Sequence, residues 1–137
     1  MEATLAERPF PLDFATLTPD TRPRRWLVLP DGFEAVADPD QASPVFALTP
    51  EALLDAFKTL ALEQPRVALV QEGDGQVELV ERSKLFRFPD YITAQAFAVE
   101  GGSALAIYSR AVIGYSDIGV NRKRITAWLD ALKTRLS

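Results

Sequence analysis

Between Thr49 and Gln64 apolar residues return at spacings of three and four, with Leu53, Phe57, Leu60 and Ala61 on one side of a helical turn. The spacing predicts an amphipathic helix. Thr49 is a good N-cap, Pro50 suits the first helical position because its missing N–H costs nothing there, and Pro65 stops the run. A second helix is predicted from about Ile118 to Arg135, on the stripe Ile125, Trp128, Leu129, Leu132 and Leu136.

Between the helices the period changes to two. "RVALVQ" (66–71) and "QVELVERS" (76–83) flank "EGDG", a hairpin signal with glycines able to take positive φ. "YITAQAFAVE" (91–100) and "SALAIYSRAVI" (103–113) form a second hairpin around Gly101-Gly102. Alternation puts Tyr91, Thr93, Gln95, Phe97 and Val99 on one face, and Ile92, Ala94, Ala96 and Ala98 on the other. The small alanine face is where a helix can lie close. "VFAL" (45–48) reads as a short strand before the first helix.

Residues 1–43 show little periodicity and, with Pro44, hold seven of the ten prolines, so they read as an irregular arm. Its strand-like piece, "RRWLVLP" (24–30), is the expected anchor to the core. The predicted domain is then 44–137, an α+β fold of order β-α-β-β-β-β-α, with a curved antiparallel sheet carrying both helices on one face.

Composition agrees with one folded domain: 137 residues, 47% hydrophobic and 25% charged. There is no cysteine and no histidine. Disulfides, thiol nucleophiles, imidazole bases and the usual transition-metal ligands are therefore excluded, and any chemistry falls to carboxylates, lysine, arginine, tyrosine or hydroxyls. No glycine-rich phosphate loop or calcium loop is present, so neither a cofactor nor a metal is expected.

The net charge of -4 conceals an asymmetry: residues 1–81 hold 6 Lys/Arg against 15 Asp/Glu, and residues 82–137 hold 9 against 4. A local basic face can attract an anionic partner. Nucleic acid is not expected, because "RKR" (122–124) has no supporting basic stripe with interleaved aromatics.

On a helical wheel Asn121 shares the face of Ile125, Trp128 and Leu132. A buried amide needs partners, and Asp117, Ser109 and Arg110 are the candidates. Asp117 is also the natural N-cap, and Gly119 is expected to let the first turn approach the sheet. Arg124 and Trp128, four apart, are spaced for a cation-π contact.

"RSKLFRFPD" (82–90) and "YSRAVIGYSDIGVNRKRI" (108–125) resemble the two signature stretches of an uncharacterised bacterial family, the domain of unknown function 1499. The ordered series Ser109, Arg110, Gly114, Ser116, Asp117, Gly119, Asn121, Arg124 carries the resemblance, which covers residues from about 20 to 136 and brings no activity with it. The resemblance implies, for many members, a cysteine-containing N-terminal motif or a hydrophobic anchor. "LTPDTRPRRWLVLP" stands in that place here. The chain as given is thus expected to be cytoplasmic by default, without a membrane span, and membrane-attached only if an anchor precedes it.

Two readings of the junction at 109–125 follow. In one it is a helix start pinned to the preceding strand. In the other, Arg82, Arg87, Arg110 and Arg124 converge on a mouth beside the helix N-terminus, with Tyr91, Tyr108 and Tyr115 lining it and Ser109, Asp117 and Asn121 nearby. That arrangement suits phosphate or carboxylate.

Of the carboxylate pairs, Asp38/Asp40 lies in the arm, Glu78/Glu81 reads as solvent-facing strand polarity, and Asp90/Asp117 has a route to convergence. Ser83, Ser109 and Ser116 have only Lys84 as a nearby base. The expectation is a non-enzymatic domain that binds a small anionic ligand or a protein partner; a hydrolase or lyase using Asp90 and Asp117 is the alternative.

Overall fold

The computed structural model describes residues 8–137; the first seven residues of the expected arm lie outside the described residues. The elements are β1 (Arg25–Leu29), β2 (Gln41–Ala42), α1 (Pro50–Leu62), β3 (Val67–Gly73), β4 (Gln76–Arg82), β5 (Pro89–Val99), β6 (Gly102–Ala111) and α2 (Val120–Leu136). The six strands form one sheet in the order β2-β1-β6-β5-β4-β3, antiparallel except for the short parallel pair β1/β2. This is the α+β order expected, with one strand placed differently.

"VFAL" does not form a strand: only Phe46 bridges to Ser103, each donating its N–H to the other's carbonyl at 2.8 and 2.9 Å. The position beside β6 is taken instead by β1, from the proline-rich stretch, with Leu27 opposite Tyr108 and Val28 opposite Ile107. β1 is continuous and apolar, so it can be buried on both faces; Pro44 and Pro50 leave residues 45–48 too little free backbone to extend a ladder.

Both helices pack on one face. Leu53, Phe57, Leu60 and Ala61 of α1 and Ile125, Trp128, Leu129 and Leu132 of α2 meet Val28, Leu79, Ile92, Ala94, Leu105 and Ile107 of the sheet. Thr49 caps α1 by accepting from the N–H of Ala52 at 3.2 Å. The Trp128 ring meets Phe57 edge-on, with centroids 5.9 Å apart.

The opposite face is covered by the irregular chain on either side of β1, residues 8–24 and 30–40. Leu12 and Phe14 are buried against Leu27, Leu29, Ala106 and Tyr108, and each contributes roughly 1.5–3 kcal/mol. Polar attachments hold this layer down. The Gln76 side-chain amide accepts from the N–H of Leu12 at 2.8 Å and donates to the carbonyl of the same residue, while the Tyr108 hydroxyl accepts from the N–H of Asp20 at 2.9 Å. Among the described residues no helix is long and apolar enough to cross a membrane.

Candidate functional site

The start of α2 is a polar clamp. The helix begins at Val120, two residues later than expected, because Gly119 takes the left-handed conformation at φ 77° and so occupies the N-cap position itself. Asp117 nevertheless serves the first turn, its two oxygens accepting from the N–H groups of Gly119 and Asn121 at 2.9 and 3.0 Å. Nothing lies within 4 Å of where a Gly119 Cβ would stand, so its glycine answers to backbone conformation and not to close approach to the sheet.

Asn121 is fully buried, as its place on the wheel requires, and every polar atom of its amide is used. Its oxygen accepts from Ser109 Oγ at 2.6 Å, and its nitrogen donates to Asp117 Oδ2 at 2.8 Å and the carbonyl of Arg24 at 3.2 Å. Arg110, the other expected partner, is not there. Arg124 completes the clamp: Nη1 donates to Asn121 Oδ1 at 2.6 Å, Nε to Glu81 Oε1 at 2.8 Å and Nη2 to Asp90 Oδ2 at 2.9 Å. One arginine thus ties α2 to β4, β5 and β6.

The buried charges of this corner are already paired. Arg124 is bonded to Glu81 and Asp90, and Asp117 takes the N–H groups of Gly119 and Asn121 at the helix start. Burial pushes the Asp90 carboxyl above its usual range, opposed by Arg124 and reinforced by the charges of Glu81 and Asp117. The expected Arg124–Trp128 contact gives way to this clamp; it is Arg122 that lies over an indole, that of Trp26, at 5.4 Å. Asp117→Ala is expected to lower stability by about 1–2 kcal/mol, read as a lower urea midpoint at unchanged m value. An unchanged midpoint would remove Asp117 from the capping role.

Arg110 lies on the other face. Strand alternation separates Ser109 from Arg110: Ser109 joins the clamp among the helices, and Tyr108 and Arg110 point under residues 8–24. The four arginines therefore do not converge. Arg82 and Arg87 sit at the β4–β5 connection, where Arg82 Nη1 donates to the Arg87 carbonyl at 3.2 Å, and Tyr115 is exposed at the surface. Tyr91 is buried on the Arg110 side, beneath the guanidinium of Arg8 at 4.5 Å.

Arg110 is 3% exposed. Its Nη1 donates to Thr93 Oγ1 and to the Tyr108 carbonyl, both at 2.9 Å, and its guanidinium carbon stands 4.7 Å from the Tyr108 ring centroid. Nε and Nη2 have no hydrogen-bond partner among the described residues. Burial pushes the group down to about 10, so it stays cationic at neutral pH. Arg110 lines a cavity of about 660 Å³ between residues 9–24 and the end of β6, with Leu12, Leu17, Tyr108 and Val112 among its apolar walls. Asp20 on its rim is bound by Arg24.

Glu78 overturns the expectation of solvent-facing polarity. It is fully buried beneath Arg8, which donates to Oε1 at 2.7 Å, as does Gln71. Alternation assigns Glu78 to the face of Thr93 and Tyr108, its register partners across the sheet, but cannot show that irregular chain covers that face.

A sheet shielded by two helices on one side and by its own N-terminal segment on the other, with a polar centre buried beneath that segment, defines an α+β domain with a cavity at the edge of that segment. The chain belongs to the DUF1499 family, described as a protein of unknown function, whose family model matches residues 14–132. It is similar to a protein from Rhodobacter sphaeroides known from a crystal structure, at 18% identity over 69% of this chain and 91% of that one, with a TM-score of 0.35. A search of curated proteins finds no match.

Proposed function

We propose that this protein is a non-enzymatic binding domain that takes a small anionic molecule, a carboxylate or phosphate, in the cavity beneath residues 9–24. The observation that carries this reading is the open edge of Arg110. Nε and Nη2 point the same way from one side of the guanidinium, the fork that receives two oxygens of a carboxylate or phosphate. Leaving both donors unmade in a buried site is costly, and a bound anion removes the cost.

Charge supports the same reading. Among the described residues Arg8 and Arg110 share the single buried carboxylate of Glu78 beneath the segment. On the rim Asp13 and Asp20 balance Arg22 and Arg24. The cavity volume falls within the ~300–1,000 Å³ of small-molecule sites. The hydrolase or lyase reading has less support, since Asp90 is bound to Arg124 and Asp117 to the first turn of α2.

Thermal-shift titration with acetate, benzoate, inorganic phosphate and a sugar phosphate tests the proposal. A member of this set at a hundredfold excess over its dissociation constant adds ~2.7 kcal/mol. Arg110→Met is expected to abolish the shift while stabilising the unliganded protein by about 1 kcal/mol or more, because it removes a buried charge with half its donors unmet. No shift with any anion, or an Arg110→Met variant weakened by several kcal/mol, would make Arg110 a purely structural cation.

A further inference from the structure

The end of the sheet beyond β4 and β6 carries strongly exposed apolar side chains. In the β4–β5 connection (83–88), Leu85 is 79% and Phe86 68% exposed, and the Phe86 and Phe88 rings stack on each other at 5.5 Å instead of folding inward. In the β6–α2 connection, Ile118 is 86% exposed, with Tyr115 and Val120 exposed beside it. Register brings these two connections to one end of the molecule. Asp90 pairs with Glu81 on one side and Ala111 on the other, and Arg124, one turn into α2, bonds both Glu81 and Asp90.

Their backbones are held in an unfavourable conformation. Ile118 is β-branched yet sits at φ 53°, and Arg87 at φ 62°. A β-branched residue in the left-handed region is a genuine outlier. Ile118 thus bears a backbone cost and remains almost wholly in water, and neither is explained by packing.

The exposed charges around these tips are cationic, while the neighbouring Glu81, Asp90 and Asp117 are bonded to Arg124 and to the first turn of α2. Lys84 and Arg87 flank Leu85 and Phe86, and Arg122 and Lys123 are exposed on the first turn of α2 just beyond Ile118. They belong to the half of the chain that is net positive within a protein of net charge -4.

The geometry points to this end of the molecule as a docking surface for a membrane bearing anionic lipid, with Leu85, Phe86 and Ile118 inserting at the headgroup boundary and Lys84, Arg87, Arg122 and Lys123 meeting the headgroups. Two projecting tips with apolar ends and a cationic collar match the interface of a bilayer, which accepts a convex apolar tip without needing a shaped pocket. This surface is separate from the Arg110 cavity, and each stands or falls alone.

Co-sedimentation of the full chain with vesicles tests it, using phosphatidylcholine alone and phosphatidylcholine containing a third phosphatidylserine. Partition into the anionic vesicles only, weakened by high salt, is expected. Leu85→Ser with Phe86→Ser is expected to reduce it at least about tenfold, and Ile118→Ser should also weaken it. Lys84→Glu is expected to lower anionic partition roughly fivefold or more. These positions are exposed, so the variants should keep the native far-UV spectrum and melting temperature. Arg110→Met should bind vesicles as the native chain does, so failure of the cavity proposal leaves this one intact. Equal partition into both vesicle types, or partition unchanged by Leu85→Ser with Phe86→Ser, would overturn it. So would a dimer in solution that the same double variant dissolves while no vesicle binding is seen; the surface would then belong to a second copy of the chain.

Discussion

Gly102→Ala is expected to destabilise the protein by about 3–5 kcal/mol, the largest effect of any single methyl group added to this chain. Gly102 opens β6 at φ 146°, and a Cβ there would stand 1.9 Å from the carbonyl oxygen of Phe46 and 2.9 Å from its carbonyl carbon. The obstacle is backbone, and that backbone is itself committed: Phe46 and Ser103 exchange N–H to carbonyl bonds at 2.8 and 2.9 Å. The methyl group cannot be accommodated without breaking the bridge that ties the α1 approach to β6. A domain of this size has roughly 5–15 kcal/mol in all, so the melting temperature should fall by roughly 10 °C or more. Gly32→Ala is the control. Gly32 also has positive φ, 76°, but has nothing within 4 Å of a Cβ, so its substitution should cost only about 1 kcal/mol. Equal losses in the two variants would show that the contact with Phe46 is not the reason for glycine at 102.

Arg124→Met is expected to cost about 3–5 kcal/mol at neutral pH, the penalty for removing one partner of a buried ion pair. Arg124 is the cation to which Asp90 is bonded, and it also donates to Glu81, Ser109 and Asn121. The loss should depend on pH with a definite sign. Burial already holds the Asp90 carboxyl above its usual range, and Arg124 is what opposes burial. Without Arg124 the folded state binds the Asp90 proton more tightly still. A raised carboxyl weakens the fold wherever it is ionised, so the deficit is full above its folded pKa and shrinks as pH falls through that value toward the unfolded ~3.9. Urea denaturation of native and variant protein from neutral to mildly acidic pH reads this directly. Adding Asp90→Asn to the variant should recover part of the stability at neutral pH. A loss below ~1 kcal/mol with no pH dependence would make Arg124 an ordinary solvated surface pair.

The clamp and the cavity show how far the pattern of the chain reaches. The wheel that puts Asn121 beside Ile125, Trp128 and Leu132 correctly buries it, because both helical faces of α2 follow from spacing. Alternation likewise separates Ser109 from Arg110, and applied to "IYSRA" it already forbids Arg110 and Arg124 from meeting in front of the helix. The expected convergence of arginines from neighbouring strands and the helix fails because Arg110 and Arg124 lie on opposite faces of the sheet. Glu78 is a different case: an apolar-polar alternation tells which face a residue takes, but its burial depends on Arg8, seventy residues earlier in the chain. Residues 8–24 have no period of their own, so no local pattern announces that they form a layer.

By itself the sequence determined the two amphipathic helices, the two hairpins, the absence of thiol and imidazole chemistry, and the inward amide at the start of α2. Each follows from neighbours within a few residues or from composition. Only the tertiary structure decided that Arg25–Leu29 is an interior strand in place of residues 45–48, that Glu78 is buried, and that Arg110 lies under the N-terminal segment with two donors unpartnered among the described residues. These are decided by which distant chain covers a sheet face, and a face's cover is set by the packing of the whole domain.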